Sequence, residues 1–236
     1  MNETYFYQML HGLLTSLELT AASVVVGIVL ALMMTITLVL RIPVLQHVSK
    51  AIVVVITGTP LLVQIYLVYY GPGQFAWIRH SPMWSLLQQP WFCAIAAFSL
   101  NTAAYTTQLF KGAYDVIPKE MHQVCRALGL PTLYRLKILL SYALRRALPA
   151  YSNEVILVFK GTSLASTITI MDLMGYAERI NTMTYDTLVV FSIAGGLYFA
   201  INSVNDGLLG IRFSIVFDVG HHGTHQIFKE TYLNVM

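Results

Sequence analysis

Lys160 is the residue in this sequence that most needs a chemical reason. It sits in an apolar run, roughly 153–174, long enough to cross a bilayer, and a lysine near the bilayer centre costs about 2.5–3.5 kcal/mol. At 100° per residue, Asn153, Lys160, Ser163 and Thr167 fall within an arc of roughly 80°, a polar stripe on an otherwise apolar helix. Such a stripe faces protein or water rather than lipid. Three uses stay open for the ammonium group. It can snorkel to the nearer interface, pair with a neighbouring helix, or line a path for a polar solute.

A second set lies upstream. Asn101, Tyr105 and Gln108 recur at i, i+4 and i+7 and share one helical face. Polar bonding between helices is one use of such residues, and a wet pathway is the other. Gly58 and Pro60 interrupt another apolar run, 51–70. Proline removes a backbone donor and kinks a helix, so neighbours must satisfy the freed carbonyl in lipid. A structural kink and a broken helix lining a transport path are both compatible with that pair.

The elements that must hold these residues follow from composition. Hydrophobic residues make up 56% of the 236 and charged residues only 11%, against about 25% charged in soluble domains. Mean hydropathy is +0.65, so the surrounding solvent is largely lipid. The net charge of +3 is too small to suggest nucleic acid. Apolar runs at about 13–40, 51–70, 91–110, 153–174 and 187–204 are each near the roughly 20 residues a helical span requires. They predict an all-α membrane protein with five transmembrane helices.

Lys and Arg cluster in 111–150 (Lys111, Lys119, Arg126, Arg135, Lys137, Arg145, Arg146), while 71–90 holds only Arg79 and 175–186 only Arg179. By the positive-inside rule the N-terminus is periplasmic and the connection 111–150 cytoplasmic, which puts the C-terminus in the cytoplasm. Trp77, Trp84 and Trp91 border the second loop like an interfacial belt. Pro82 and Pro90 should keep that loop non-helical. The two cysteines, Cys93 and Cys125, fall in different compartments, so no disulfide is expected.

The connection 111–150 is itself patterned. Met121, Val124, Cys125 and Leu128 fall at i, i+3, i+4 and i+7, one apolar helical face. Gly129 stands where a helix commonly ends in the left-handed conformation, and Pro131 prevents continuation. A second, basic amphipathic run covers roughly 132–148.

Pro118 to Gly129, reading PKEMHQVCRALG, resembles the EAA loop of ABC importer permeases. Gln123, Val124 and Cys125 occupy the Glu-Ala-Ala positions, and Gly129 matches the family glycine. Gly58 to Gln64 (GTPLLVQ) and Ser99 to Tyr105 (SLNTAAY) resemble the second and third spans of the polar amino acid branch, which includes histidine, arginine and glutamine importers. This chain departs from that branch at Thr57, Gln108 and Lys111, where Arg, Glu and Arg are common.

The resemblance implies a type I importer permease fold over about 1–210, with a cytoplasmic coupling helix inside 111–150 and an inner-membrane location. The substrate it implies is a polar amino acid, arginine first, with histidine, lysine or ornithine, and glutamine as alternatives. It also implies a second permease subunit, ABC ATPase subunits that bind the ATP and magnesium, and a periplasmic amino-acid-binding protein. No cofactor or metal is expected in this chain, and no catalysis. It contains no G-x-x-x-x-G-K-[ST] loop. A lone secondary transporter would more commonly show an internal repeat, and an intramembrane enzyme would need a nucleophile–base pair that the spans lack. The tail 211–236 is atypical for the family, and its His221, His222 and His225 have no recognisable metal-ligand spacing.

Overall fold

The computed structural model describes residues 3–204. The expectations for the tail, including its three histidines, lie outside the described residues. Ten α-helices account for nearly all of the described chain. They are α1 (Glu3–Leu40), α2 (Leu45–Thr57), α3 (Leu61–Tyr70), α4 (Ala76–Arg79), α5 (Trp84–Leu87), α6 (Pro90–Asp115), α7 (Lys119–Ala127), α8 (Thr132–Gly161), α9 (Leu173–Thr184) and α10 (Thr187–Val204). Short 3-10 turns occupy Pro72–Gln74 and Thr162–Ile168.

α1 is 38 residues long, about 57 Å at 1.5 Å per residue. It outruns a hydrocarbon core of about 30 Å, so the helix begins well before the predicted position 13. One face carries small residues at helical spacing, namely Ser16, Thr20, Ser23, Ala31 and Thr35, all buried. Gly27 falls in the same row. Small side chains let backbones approach closely, and in lipid that packing replaces the hydrophobic drive. The face opposite is α6, where Ser99, Thr102, Ala103, Thr106 and Phe110 are buried. α6 also packs against α2, α3 and α8.

Several expectations are corrected. The loop 71–90 is not free of helix, because α4 and α5 each complete a single turn. Pro90 starts α6 rather than interrupting it, since the first helical position needs no N–H. The basic run 132–148 and the first part of the predicted fourth span form one helix, α8, which continues through Pro149. That span then does not stay α-helical. It tightens into a 3-10 turn at Thr162–Ile168, reverses at Thr169 (φ 72°), and restarts as α9 at a bend of 52°.

The hydroxyls of Thr162, Ser163, Ser166 and Thr167 each donate to the carbonyl three residues back, at 2.6–3.0 Å. These side-chain bonds back to the chain accompany the 3-10 backbone of this segment. Residues 175–186, expected as loop, lie mostly in α9, whose N-terminus is capped by the Asp172 carboxylate accepting from Gly175 N at 2.8 Å.

Length and apolarity alone qualify α1 and α10 as spans among the described residues, and up to four if each bent pair counts as one. α6 falls short because Asn101, Thr102, Tyr105, Thr106, Thr107 and Gln108 dilute its apolar character.

Candidate functional site

The break between α2 and α3 is built around one amide. The two helices meet at 109°. Gly58 continues the right-handed backbone of α2 (φ −87°), whereas Pro60 is extended (φ −63°, ψ 138°) and caps α3 without a side-chain bond. Pro60 has no N–H to offer, so carbonyls at the end of α2 lose their usual partners. The Gln64 amide takes that role. Its Nε2 reaches Ile56 O at 2.7 Å, Thr59 O at 3.0 Å and Thr59 Oγ1 at 2.9 Å. Its Oε1 accepts from Asn101 Nδ2 of α6 at 3.0 Å. Gln64 is only 6% exposed.

Two longer bonds grip the same break from its exposed side. Tyr105 donates to Thr57 O at 3.5 Å, and Gln108 donates to Thr57 Oγ1 at 3.3 Å. Gly58, Pro60, Tyr105 and Gln108 are all exposed on the chain, with Thr57 half-buried beside them. The structure therefore joins two sets that the sequence left separate, the kink pair and the face of α6. Gln64 and Thr57 complete the arrangement and were missed as site residues. The available signal was a lone glutamine in the apolar run 61–70, four residues after Pro60.

The stripe through Lys160 is only half present. Asn153 and Lys160 lie two turns apart on α8 and are both exposed. Ser163 and Thr167 lie beyond the helix, so the 100° phasing does not carry to them, and their hydroxyl protons go to their own backbone. Among the described residues no carboxylate lies within ion-pair distance of Lys160, the one such pair being Lys111 with Asp115. Among those residues, none supplies the intrachain ion pair that was one of its three readings. The end of α8 abuts the break nonetheless. A Cβ on Gly161 would stand 3.3 Å from Leu61 Cδ2 and 3.6 Å from Phe98 Cε1.

α7 ends as its spacing predicted. Gly129 has φ +65°, its N–H donates to Arg126 O at 2.9 Å, and Leu130 N donates to Cys125 O at 3.2 Å. This pair of bonds is the Schellman arrangement, and Leu130 packs against the cluster that contains Cys125. The single apolar face expected for α7 divides in two. Cys125 is buried with Ile117, Leu139 and Ala143, and Met121 packs beside them. Val124 and Leu128 point outward at 42% and 55% exposure, beside exposed Gln123. Cys125 therefore anchors α7, while Gln123, Val124 and Leu128 form its free surface.

Residues 14–211 match the protein family described as "Binding-protein-dependent transport system inner membrane component". The chain is 50% identical over 209 residues to the arginine ABC transporter permease protein ArtM of Haemophilus influenzae, covering 89% of this chain and 92% of that one. It is 50% identical over 213 residues to ArtM of Escherichia coli K12, with coverage of 90% and 94%. Identity is 42% over 201 residues to the octopine transport system permease protein OccM of Rhizobium radiobacter, covering 84% and 82%.

Among solved structures, an amino acid ABC transporter crystallised with histidines aligns at a TM-score of 0.80 and 24% identity, over 89% of this chain and 95% of that one. The inward-facing MetNI methionine ABC transporter aligns at 0.69 and 17% identity, over 89% and 99%. At those identities the likeness speaks for the fold.

Proposed function

The chain belongs to the family of binding-protein-dependent transport system inner membrane components, and we propose that it is the permease subunit of an ATP-binding-cassette importer for a polar amino acid, with arginine as the substrate. The observation that carries this reading is the 50% identity to arginine permeases over nine-tenths of both chains. The exposed polar surface at the α2–α3 break supports it physically. Irregular backbone is tolerated at membrane depth only where protein or a water-filled path covers it.

In this reading five spans cross the inner membrane, formed by α1, the α2–α3 pair, α6, the end of α8 with the turn after it, and α10. The N-terminus is periplasmic and the C-terminus cytoplasmic. Solute arrives from a periplasmic binding protein and passes the surface bearing Tyr105, Gln108, Asn153 and Lys160, opposite a second permease subunit. A cationic substrate passing Lys160 needs a shielding carboxylate, which the second subunit or the solute's own carboxylate can supply.

Gln123, Val124 and Leu128 of α7 dock on an ATPase subunit, and Gly129 lets the chain turn sharply behind them. ATP and magnesium are bound by that partner, and hydrolysis occurs there. Closure of the ATPase pair moves the two α7 helices together and switches the access of the pathway.

The deciding experiment is reconstitution of the complete importer in proteoliposomes with ATP inside. ATP-dependent uptake of labelled arginine, stronger than that of histidine, lysine or glutamine, is expected. Uptake without ATP, or failure to co-purify with an ATPase, overturns the reading.

A further inference from the structure

We propose that Gln64 is a positioning residue for transport, a pin that fixes the α2–α3 break to α6 and so sets where the rim of half-buried Thr57 and exposed Tyr105 and Gln108 stands. The proposal rests on the permease reading above and adds a residue that touches no solute. Its basis is the contrast between two attachments at one break. On the inner side, Gln64 is buried and makes bonds of 2.7–3.0 Å to Ile56, Thr59 and Asn101. On the outer side, Tyr105 and Gln108 hold Thr57 at 3.3–3.5 Å from exposed positions. A buried amide surrounded by partners has no substitute for them in an apolar medium. An exposed hydroxyl or amide can exchange a weak partner for water or solute. The inner set therefore stays in place while the outer set trades Thr57 for whatever passes.

The chemistry at position 64 requires a side chain that donates and accepts at once. Nε2 faces two backbone carbonyls and a hydroxyl, and Oε1 faces an amide donor. Leucine fills a similar volume but leaves the Thr59 carbonyl and the Asn101 amide without these partners, and leaves Ile56 O only the longer bonds from Thr59 N and Oγ1 at 3.4 Å. Ionised glutamate still accepts from Asn101 but sets negative oxygen against two carbonyls. Protonated glutamate restores one donor.

The test uses the complete importer in proteoliposomes with the wild-type chain as the reference, and Cys93 and Cys125 are replaced by Ala only in the spin-labelled samples. Gln64→Leu should lower the maximal rate of arginine uptake about tenfold, the size expected for orphaned buried hydrogen-bonding groups, with KM little changed. Gln64→Glu should recover uptake as pH falls, relative to the reference, whereas Gln64→Leu should follow the reference profile at its lower level. Spin labels at Val54 and Leu67, both exposed, report the bend, and their distance distribution should broaden in Gln64→Leu.

Uptake by Gln64→Leu within about twofold of the reference, or a reference-like pH profile for Gln64→Glu, overturns the proposal. Where Gln64→Leu fails to assemble, the Gln64→Glu pH profile decides. Where the reference itself takes up no amino acid, the permease reading fails, and the label distances still judge the pin.

Discussion

Gly27 of α1 and Thr102 of α6 pack so closely that a Cβ on the glycine would stand 3.0 Å from both Cβ and Cγ2 of the threonine. Ser99 O lies at 3.2 Å from the same point, and Thr102 is fully buried. Gly27→Leu should force these two helices apart at a cost of about 1–3 kcal/mol, and Gly27→Ala should cost less. Thermal unfolding of the purified importer measures this. An unchanged midpoint for Gly27→Leu contradicts the packing.

The direction of the chain across the membrane can be read by chemistry. Gln74 lies in the turn after α3, and Lys119 opens α7. Single cysteines at these two positions, with Cys93 replaced by Ala, should react with an impermeant thiol reagent from opposite sides. Reaction from one side would mean that α6, which lies between the two positions, does not cross, and would sink the five-span arrangement.

A Cβ added at Gly129 would meet no atom within 4 Å, so lack of space does not explain the glycine. Its φ of +65° does. A β-branched residue there costs roughly 1–2 kcal/mol of backbone strain, and asparagine tolerates the region better. Gly129→Val should insert normally yet weaken ATPase association or lower the uptake per ATP hydrolysed, and Gly129→Asn should do so less. Pull-down of the ATPase and coupled assays read both effects.

The two faces of α7 should separate under mutation. Leu128→Glu changes an exposed position, where stability effects are usually within about 0.5 kcal/mol, and should abolish ATPase co-purification with the permease midpoint intact. Cys125→Ser adds a hydroxyl to a buried apolar cluster, and should lower stability by about 1 kcal/mol or more with ATPase binding retained. The reverse pattern would mean that α7 docks through its other face.

Lys160 is exposed and lacks an intrachain ion pair among the described residues. Lys160→Met should therefore leave the thermal stability of the assembled importer unchanged. A role on the pathway predicts altered arginine KM or selectivity in Lys160→Met and partial retention in Lys160→Arg. Wild-type uptake by Lys160→Met would leave the lysine only its reach toward the membrane interface.

The features legible in the sequence were those set by local chemistry. Apolar run length marked the helices, and 187–204 coincides with α10. Proline without an N–H marked the break at Pro60, and glycine before proline marked the end of α7 at Gly129. What escaped depended on neighbours. Pro149 was no barrier to α8, whose packing extends on both sides of it. The stripe reading assumed one helical period throughout, whereas the chain turns as a 3-10 helix over Thr162–Ile168. Gln64 was hidden because its value lies in Asn101, 37 residues further on, and no periodicity links the two.

That separation has a consequence for how the chain is made. α2 has 13 residues and α3 has 10, about 20 Å and 15 Å long, and neither alone reaches across a bilayer of about 30 Å. When this pair leaves the ribosome, Asn101 has not yet joined it in the membrane. The amide of Gln64 can then bond only to its own segment, and its oxygen waits for a partner. The bend is therefore completed when α6 arrives, and the order of translation becomes the order in which the permease acquires its shape.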